Sequence, residues 1–166
     1  MADLLYSDIT DKILKAFYTV YNKLGFGFLE KVYENALLVE LIEMNLYCEK
    51  QKPIKVYYRN KIVGKYYADI MVENKVILEL KAAERLAEEH ELQLINYLKA
   101  TELEVGLLLN FGKTPAFSRK VFPLPLSPMT KLICDSFIQS TLVSGPKFLS
   151  SIRVIINNPA TLEGGV

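Results

Sequence analysis

Three side chains in one short stretch have the types and the spacing to act on a phosphate ester. They are Asp69, Glu79 and Lys81, within the run Asp69-Ile70-Met71-Val72-Glu73-Asn74-Lys75-Val76-Ile77-Leu78-Glu79-Leu80-Lys81. Glu79 and Lys81 are two apart, so on a β-strand they share a face, while Val76, Leu78 and Leu80 point to the other. Phosphodiester hydrolysis needs a nucleophilic water, neutralisation of charge on the phosphoryl oxygens and help for the leaving oxygen. One or two divalent ions held by carboxylates supply all three. Mg2+ takes oxygen ligands and keeps several waters, so two or three carboxylates and a backbone carbonyl suffice. Asp69 and Glu79 are the candidate metal ligands and the Leu80 carbonyl a candidate third. Lys81 is placed to stabilise developing negative charge or to orient the attacking water. The same three residues could equally be ordinary charge on a solvated sheet face, so their surroundings must decide.

Hairpin register offers one test. A two-residue turn at Glu73-Asn74 would pair Val72 with Lys75 and put Asp69 on the wrong face. A three-residue turn, Glu73-Asn74-Lys75, pairs Val72 with Val76 and sets Asp69 opposite Glu79. The chemistry therefore predicts an odd-length loop or a bulge. Alternation places Ile77, Glu79 and Lys81 on one face, with Tyr67 and Asp69 beside them.

Two further constellations lie on predicted helices. In Gly27-Phe28-Leu29-Glu30-Lys31-Val32-Tyr33, Glu30 and Tyr33 are three apart and share a helix face. The glycines permit a tight entry, and Glu30 at a helix N-terminus also complements the dipole. Gln93 and Tyr97 stand at i and i+4, one turn after His90, which alone would be an ordinary polar stripe. His90, the only histidine of the chain, reads as a solvated or hydrogen-bonded helical residue.

The elements that must position these groups follow from periodicity. Ile9, Ile13, Leu14, Phe17, Val20, Tyr21 and Leu24 predict an amphipathic helix over about 6–24. Val32, Ala36, Leu37, Val39, Leu41 and Ile42 predict a second, ending near Asn45. From Pro53 the period changes: Ile54, Val56 and Tyr58 alternate, Arg59-Asn60-Lys61 reads as a turn, and strands follow over 65–72 and 76–82. Residues 86–100 read as a helix and the unbroken apolar run 105–110 as a buried strand. The order helix, helix, three or four strands, helix, strand gives an α+β or mixed α/β domain whose sheet is covered by helices. Beyond Gly112, Pro115, Pro123, Pro125 and Pro128 cluster and serines multiply. We therefore expect a domain over 1–122 and an apolar, Pro- and Ser-containing tail over 123–166. One reading of that tail is out-of-register coding sequence, foreign to the domain.

Composition excludes little. Apolar residues make up 51% and charged residues 23% of the 166, with a formal net charge of +1, ordinary for one globular domain with a real core. So small a bulk charge counts mildly against strong non-specific DNA binding. Asp3, Asp8 and Asp11 stand where a signal peptide would be basic and apolar, and no uncharged run is long enough to span a membrane. Cys48 and Cys134 lack metal-site spacing, and reduced thiols in a cytoplasmic protein are expected.

Taken together and in order, these motifs resemble the GxxExxY family, a branch of the PD-(D/E)xK nuclease superfamily. Gly27, Glu30 and Tyr33 match the name-giving motif, and Asp69, Glu79 and Lys81 the nuclease signature. Gln93 and Tyr97 resemble the Gln-x-x-x-Tyr motif of RecB-like nucleases. Gln51-Lys52-Pro53-Ile54, Asn96-Tyr97-Leu98-Lys99-Ala100-Thr101 and Asn110-Phe111-Gly112 also read as typical, so the resemblance spans about residues 5–122. It implies a restriction-endonuclease-like central mixed sheet flanked by helices. It implies Glu30 joining Asp69 and Glu79 around Mg2+ or Mn2+, Lys81 as catalytic lysine, and Gln93, Tyr97 and Tyr33 in support. Two departures stand out: Tyr21 where many members carry histidine, and Gly25-Phe26-Gly27 in place of a Gly-Pro-Gly turn.

The expected activity is hydrolysis of DNA, with RNA as the alternative substrate. A competing reading keeps the fold but makes the chain a catalytically idle module that binds nucleic acid or a protein. A third makes it a structural partner in a larger complex, with the apolar tail as interface. The intact Asp, Glu and Lys set favours the enzyme, because carboxylates repel phosphate unless a metal intervenes.

Overall fold

A computed structural model describes residues 5–123 of the chain. The first periodic stretch forms helix α1 (Ser7–Leu24) and the second helix α2 (Glu30–Glu43). Strands β1 (Cys48–Tyr58), β2 (Lys61–Val72) and β3 (Val76–Lys81) form a meander, followed by α3 (Glu88–Ala100), β4 (Val105–Asn110) and β5 (Ala116–Val121). The strands lie in sequence order in one sheet. β3 and β4 are parallel and every other neighbouring pair is antiparallel. A parallel pair needs a crossover, which α3 supplies. The fold is thus the mixed sheet flanked by helices that the sequence predicted, with one strand more.

Helices cover both faces. On one side Ile13, Phe17 and Val20 of α1 and Tyr33, Leu37 and Leu41 of α2 pack on Ile70, Val72, Leu78, Leu80, Leu107 and Leu109. On the other, Leu94, Tyr97 and Leu98 of α3 pack on Ala68, Met71, Ile77 and Leu108. With both faces covered, β4 is buried at all six positions and β3 at five of six, which is why each reads as an apolar run. Against this background a charged residue in β3 is conspicuous.

Several expectations need amendment. The buried stripe of α2 is Tyr33, Leu37 and Leu41 with Glu34, whereas Val32, Val39 and Ile42 are exposed. β1 begins at Cys48, before Pro53, because β1 is an edge strand on which a missing N–H can face outward. β5 was not foreseen, since Pro115 and the polar Ser118-Arg119-Lys120 mask it. It is the other edge, and Glu91 of α3 holds it through Ser118 Oγ at 2.7 Å and Lys120 Nζ at 2.6 Å. The tail expected from residue 123 lies, from 124 onward, outside the described residues.

The β2–β3 loop has the odd length the chemistry demands. Val72 pairs with Val76, Met71 with Ile77 and Ile70 with Leu78. Glu73 and Asn74 both take φ of 52°, and the Lys75 N–H donates to the Val72 carbonyl at 2.9 Å. Glu73 is further fixed by Tyr47, whose N–H donates to its Oε1 at 2.7 Å.

Candidate active site

The ladder between β2 and β3 stops at Ile70–Leu78, one step short of the position where Asp69 would face Glu79. Alternation breaks at the same place. Ala68 faces α3, but Ile70, two residues on, faces α1 and α2. On β1 the neighbouring Gln51 drops out of the pairing and takes a positive φ of 49°. This irregularity, of the β-bulge kind, re-aims the Asp69 side chain, a use to which bulges beside active sites are often put. It also corrects one expectation: the phase of Asp69 does not extend outward to Tyr67, because Tyr66 is the residue that packs on Tyr97 of α3.

Freed from the ladder, the Asp69 carboxylate takes the place of a strand partner. Its Oδ2 accepts the Leu80 N–H at 2.8 Å, and its Oδ1 lies 3.4 Å from Gln51 Nε2. On the other edge of β3 the Lys81 carbonyl accepts the Phe111 N–H at 2.7 Å. Backbone groups alternate sides along a strand, so the Leu80 carbonyl points toward β2, where the ladder has ended. It lies beside a cleft of about 550 Å3 lined by Phe28, Glu30, Glu34, Gln51, Asp69 and Leu80.

Glu79 is only 3% exposed, a burial that a carboxylate rarely tolerates without partners. One oxygen is well served: Oε1 lies 2.7 Å from Lys81 Nζ and 2.8 Å from Gln93 Nε2. The other, Oε2, is buried without a hydrogen-bond partner. Burial, then the negative charge of Asp69, raises the Glu79 carboxyl to about 7 despite Lys81, with Glu30 adding to the rise. Asp69 is raised too, chiefly by burial, with Glu34 contributing and the Leu80 N–H opposing. For Lys81 burial works downward, but Glu79, Glu30 and Asp69 outweigh it and the ammonium is held above its ordinary value.

Gln93, Tyr97 and Tyr33, the residues expected in support, each make side-chain hydrogen bonds. Gln93 also donates to the Tyr97 hydroxyl at 2.6 Å, so α3 holds Glu79 from above. Tyr33 is fully buried and stacks on Phe111 with centroids 4.3 Å apart and planes at 11°. Its hydroxyl donates to the Gly25 carbonyl at 2.9 Å and accepts the Phe28 N–H at 3.2 Å. Tyr33 thereby staples the loop that turns into α2 at Gly27, whose φ of 106° favours glycine. Glu30, first residue of α2, stands at the mouth of the cleft and accepts the Ala82 N–H through Oε1 at 3.2 Å. His90 stays local, its Nδ1 accepting the Ala87 N–H at 3.3 Å.

Four residues join the site that the motifs did not assign to it. Glu34, a turn beyond Glu30 and so on its face, is buried and paired with Lys31 and Lys50 at 2.9 and 3.3 Å. Gln51 bridges Glu34 and Asp69 at 3.4 Å to each. Asn110 clamps the chain just past Lys81, exchanging bonds of 3.0 and 2.9 Å with the N–H and carbonyl of Ala83. Gly112 packs so closely on that carbonyl that a Cβ would sit 2.0 Å from its oxygen. The i, i+4 spacing could have flagged Glu34, and a polar residue ending an apolar run could have flagged Asn110.

Among the described residues no three Asp, Glu, His or Cys side chains form a ready metal cage. The donor set nevertheless suits a hard cation. Two carboxylates close enough to repel, an orphaned carboxylate oxygen and a carbonyl turned toward the end of the β2 ladder are what an oxygen-loving divalent ion would satisfy, with waters completing its shell. Asp69 and Glu79 would hold it, with Glu30 at the rim.

The mixed sheet sets Asp69 of β2 at the cleft and carries Glu79 and Lys81 on the adjacent strand β3. The family model described as the PD-(D/E)XK nuclease superfamily matches residues 7–121, and the chain belongs to that superfamily. Comparison with curated proteins returns no match. Among solved structures, that of SSO0001 aligns with 19% identity over 80% of this chain and 68% of its own, at a TM-score of 0.44. The alkaline exonuclease LHK-Exo from Laribacter hongkongensis aligns with 9% identity over 83% and 81%, at 0.43. Nucleases of this superfamily generally use divalent metal ions. Among the described residues no helix is long and apolar enough to cross a membrane.

Proposed function

We propose that this chain is a divalent-metal-dependent nuclease that hydrolyses phosphodiester bonds in DNA, with Mg2+ or Mn2+ held by Asp69 and Glu79. The observation that carries the reading is the state of Glu79: buried, raised to about 7, one oxygen fixed by Lys81 and Gln93 and the other unpartnered. A structural ion pair would satisfy both oxygens. A bound divalent ion neutralises phosphoryl charge and lowers the pKa of a bound water. The protein's own residues do the rest. Asp69 and Glu79 keep two negative charges in one place, and the Leu80 carbonyl adds a neutral oxygen donor. Lys81 sets a positive charge beside the scissile phosphate to stabilise the charge that develops there. Gln93 and Tyr97 restrict Glu79 to one rotamer, and Glu30 completes the anionic rim. The Gly27, Glu30 and Tyr33 arrangement supports a finer placement in the GxxExxY branch.

The test is cleavage of labelled single- and double-stranded DNA, and of RNA, with Mg2+ or Mn2+ and with chelator. Lys81→Ala and Asp69→Ala should each lower turnover at least 100-fold, the order seen when one transition-state contact is lost, while circular dichroism stays unchanged. Metal-dependent cleavage that survives both substitutions refutes the site.

A further inference from the structure

The outer part of the β1–β2 hairpin has no role in holding the carboxylates together, yet its composition is the most biased in the chain. β3 pairs only with Ile70–Val72, so Lys52–Tyr58 and Lys61–Ala68 continue outward as a two-stranded arm. Residues 50–68 carry six of the chain's 20 basic residues and none of its 19 acids. The rest of the chain is therefore net acidic, and a bulk charge of +1 conceals a strongly basic arm. Lys55 and Lys65 are exposed and directly opposite each other across the ladder, a like-charge pairing that destabilises a sheet. Among the ion pairs of the described residues none includes Lys55, Arg59, Lys61 or Lys65.

Aromatic side chains are interleaved with these cations. Tyr57, Tyr58 and Tyr66 are each more than half exposed, as are Ile62 and Val63 between them. The Arg59 guanidinium lies 5.5 Å from the Tyr58 ring centre and the Lys65 ammonium 5.2 Å from that of Tyr67. The arm is continuous with the candidate active site, since its two strands themselves contain Gln51 and Asp69. Lys65 is four residues from Asp69, about 13 Å of strand. The Tyr66 ring lies 5.8 Å from that of Tyr97, whose hydroxyl leads through Gln93 to Glu79.

We infer that the β1–β2 arm binds an unpaired nucleic-acid strand and feeds it to the cleft beside Asp69. Spaced lysines meet successive phosphates, and exposed tyrosine faces stack on bases that are free of a partner. A duplex would satisfy the lysines but leave the tyrosines with nothing to stack on. The inference deepens the nuclease proposal and rests on it for the direction of the strand, but binding is measured without cleavage, so the two can fail separately.

The experiment is fluorescence anisotropy of the full chain with labelled dT20 and a labelled 20-base-pair duplex, in chelator, from 50 to 300 mM salt. The wild type is expected to favour dT20. Lys55→Gln with Lys65→Gln should weaken that binding at least tenfold and reduce the slope of log K against log salt by about 1.4, two counterion equivalents on a single strand. Tyr58→Ala with Tyr67→Ala should weaken it at least fivefold and leave the salt slope unchanged, because stacking is not ionic. All four positions are exposed, and unchanged melting curves would certify the folds. Equal affinity for duplex and dT20, or affinity untouched by either pair of substitutions, overturns the inference. So does finding that the same substitutions abolish self-association, or binding to phosphatidylserine vesicles, while leaving dT20 binding intact.

Discussion

Replacing Glu79 by Gln should flatten the pH dependence of stability in the metal-free protein. The Glu79 carboxyl rises from 4.5 to about 7 on folding, through burial first and the Asp69 charge second. A group raised in the folded state contributes stability that is full below its unfolded pKa and lost as pH climbs through its folded one. Between pH 5 and 8 the wild type should therefore lose stability. A shift of about 2.5 units at about 1.4 kcal/mol each gives a loss of about 3 kcal/mol, and Asp69, raised for the same leading reason, acts in the same direction. The other shifted groups fall largely outside this window. Glu91 is lowered and matters at acid pH, whereas Lys81 is raised and Cys48 is pushed up to about 11. Urea denaturation followed by circular dichroism, at half-unit pH steps in chelator, measures the slope. Glu79→Gln should reduce the loss to within about 1 kcal/mol. Saturating Mg2+ should remove it in the wild type, because the ion binds the ionised carboxylates. A wild type as flat as the variant, or one that gains stability over this range, would refute the electrostatic account of the site.

Two further substitutions probe the supports. Gln93→Ala frees Glu79 Oε1 from α3 and should weaken Mn2+ binding by about 10- to 100-fold, the usual effect of losing a residue that orients a ligand; calorimetric titration measures it. Gly112→Ala forces a Cβ onto the Ala83 carbonyl at 2.0 Å and should destabilise the domain by about 1–3 kcal/mol, read from urea midpoints, while Gly64→Ala, with its nearest neighbour at 3.4 Å, should be far milder.

The parts of the site legible in the sequence were those governed by local periodicity. Glu79 and Lys81 stand out because β3 is otherwise apolar, and the apolar runs of β3 and β4 come from burial on both faces. Loop parity at Glu73-Asn74-Lys75 followed from requiring Asp69 to approach Glu79, and the register agrees. What periodicity could not supply was the break at Asp69, which depends on the unpaired Gln51 of another strand. Asn110 and Gly112 act through contacts to Ala83, 27 and 29 residues away in sequence, so no local pattern announces them. β5 was hidden because an edge strand buries too little to need an apolar stripe. Net charge conceals the basic arm for a related reason, since a sum over the chain averages it away.

Calorimetric titration of Mn2+ into wild type and Asp69→Asn, at pH 6 and pH 8, tests the central claim that Asp69 and Glu79 form one metal site. The account predicts saturable binding to the wild type, tighter at pH 8 because Glu79 must lose its proton, and loss of that binding in Asp69→Asn with the fold intact. Wild-type affinity that is retained in Asp69→Asn, or that does not change between the two pH values, would contradict it.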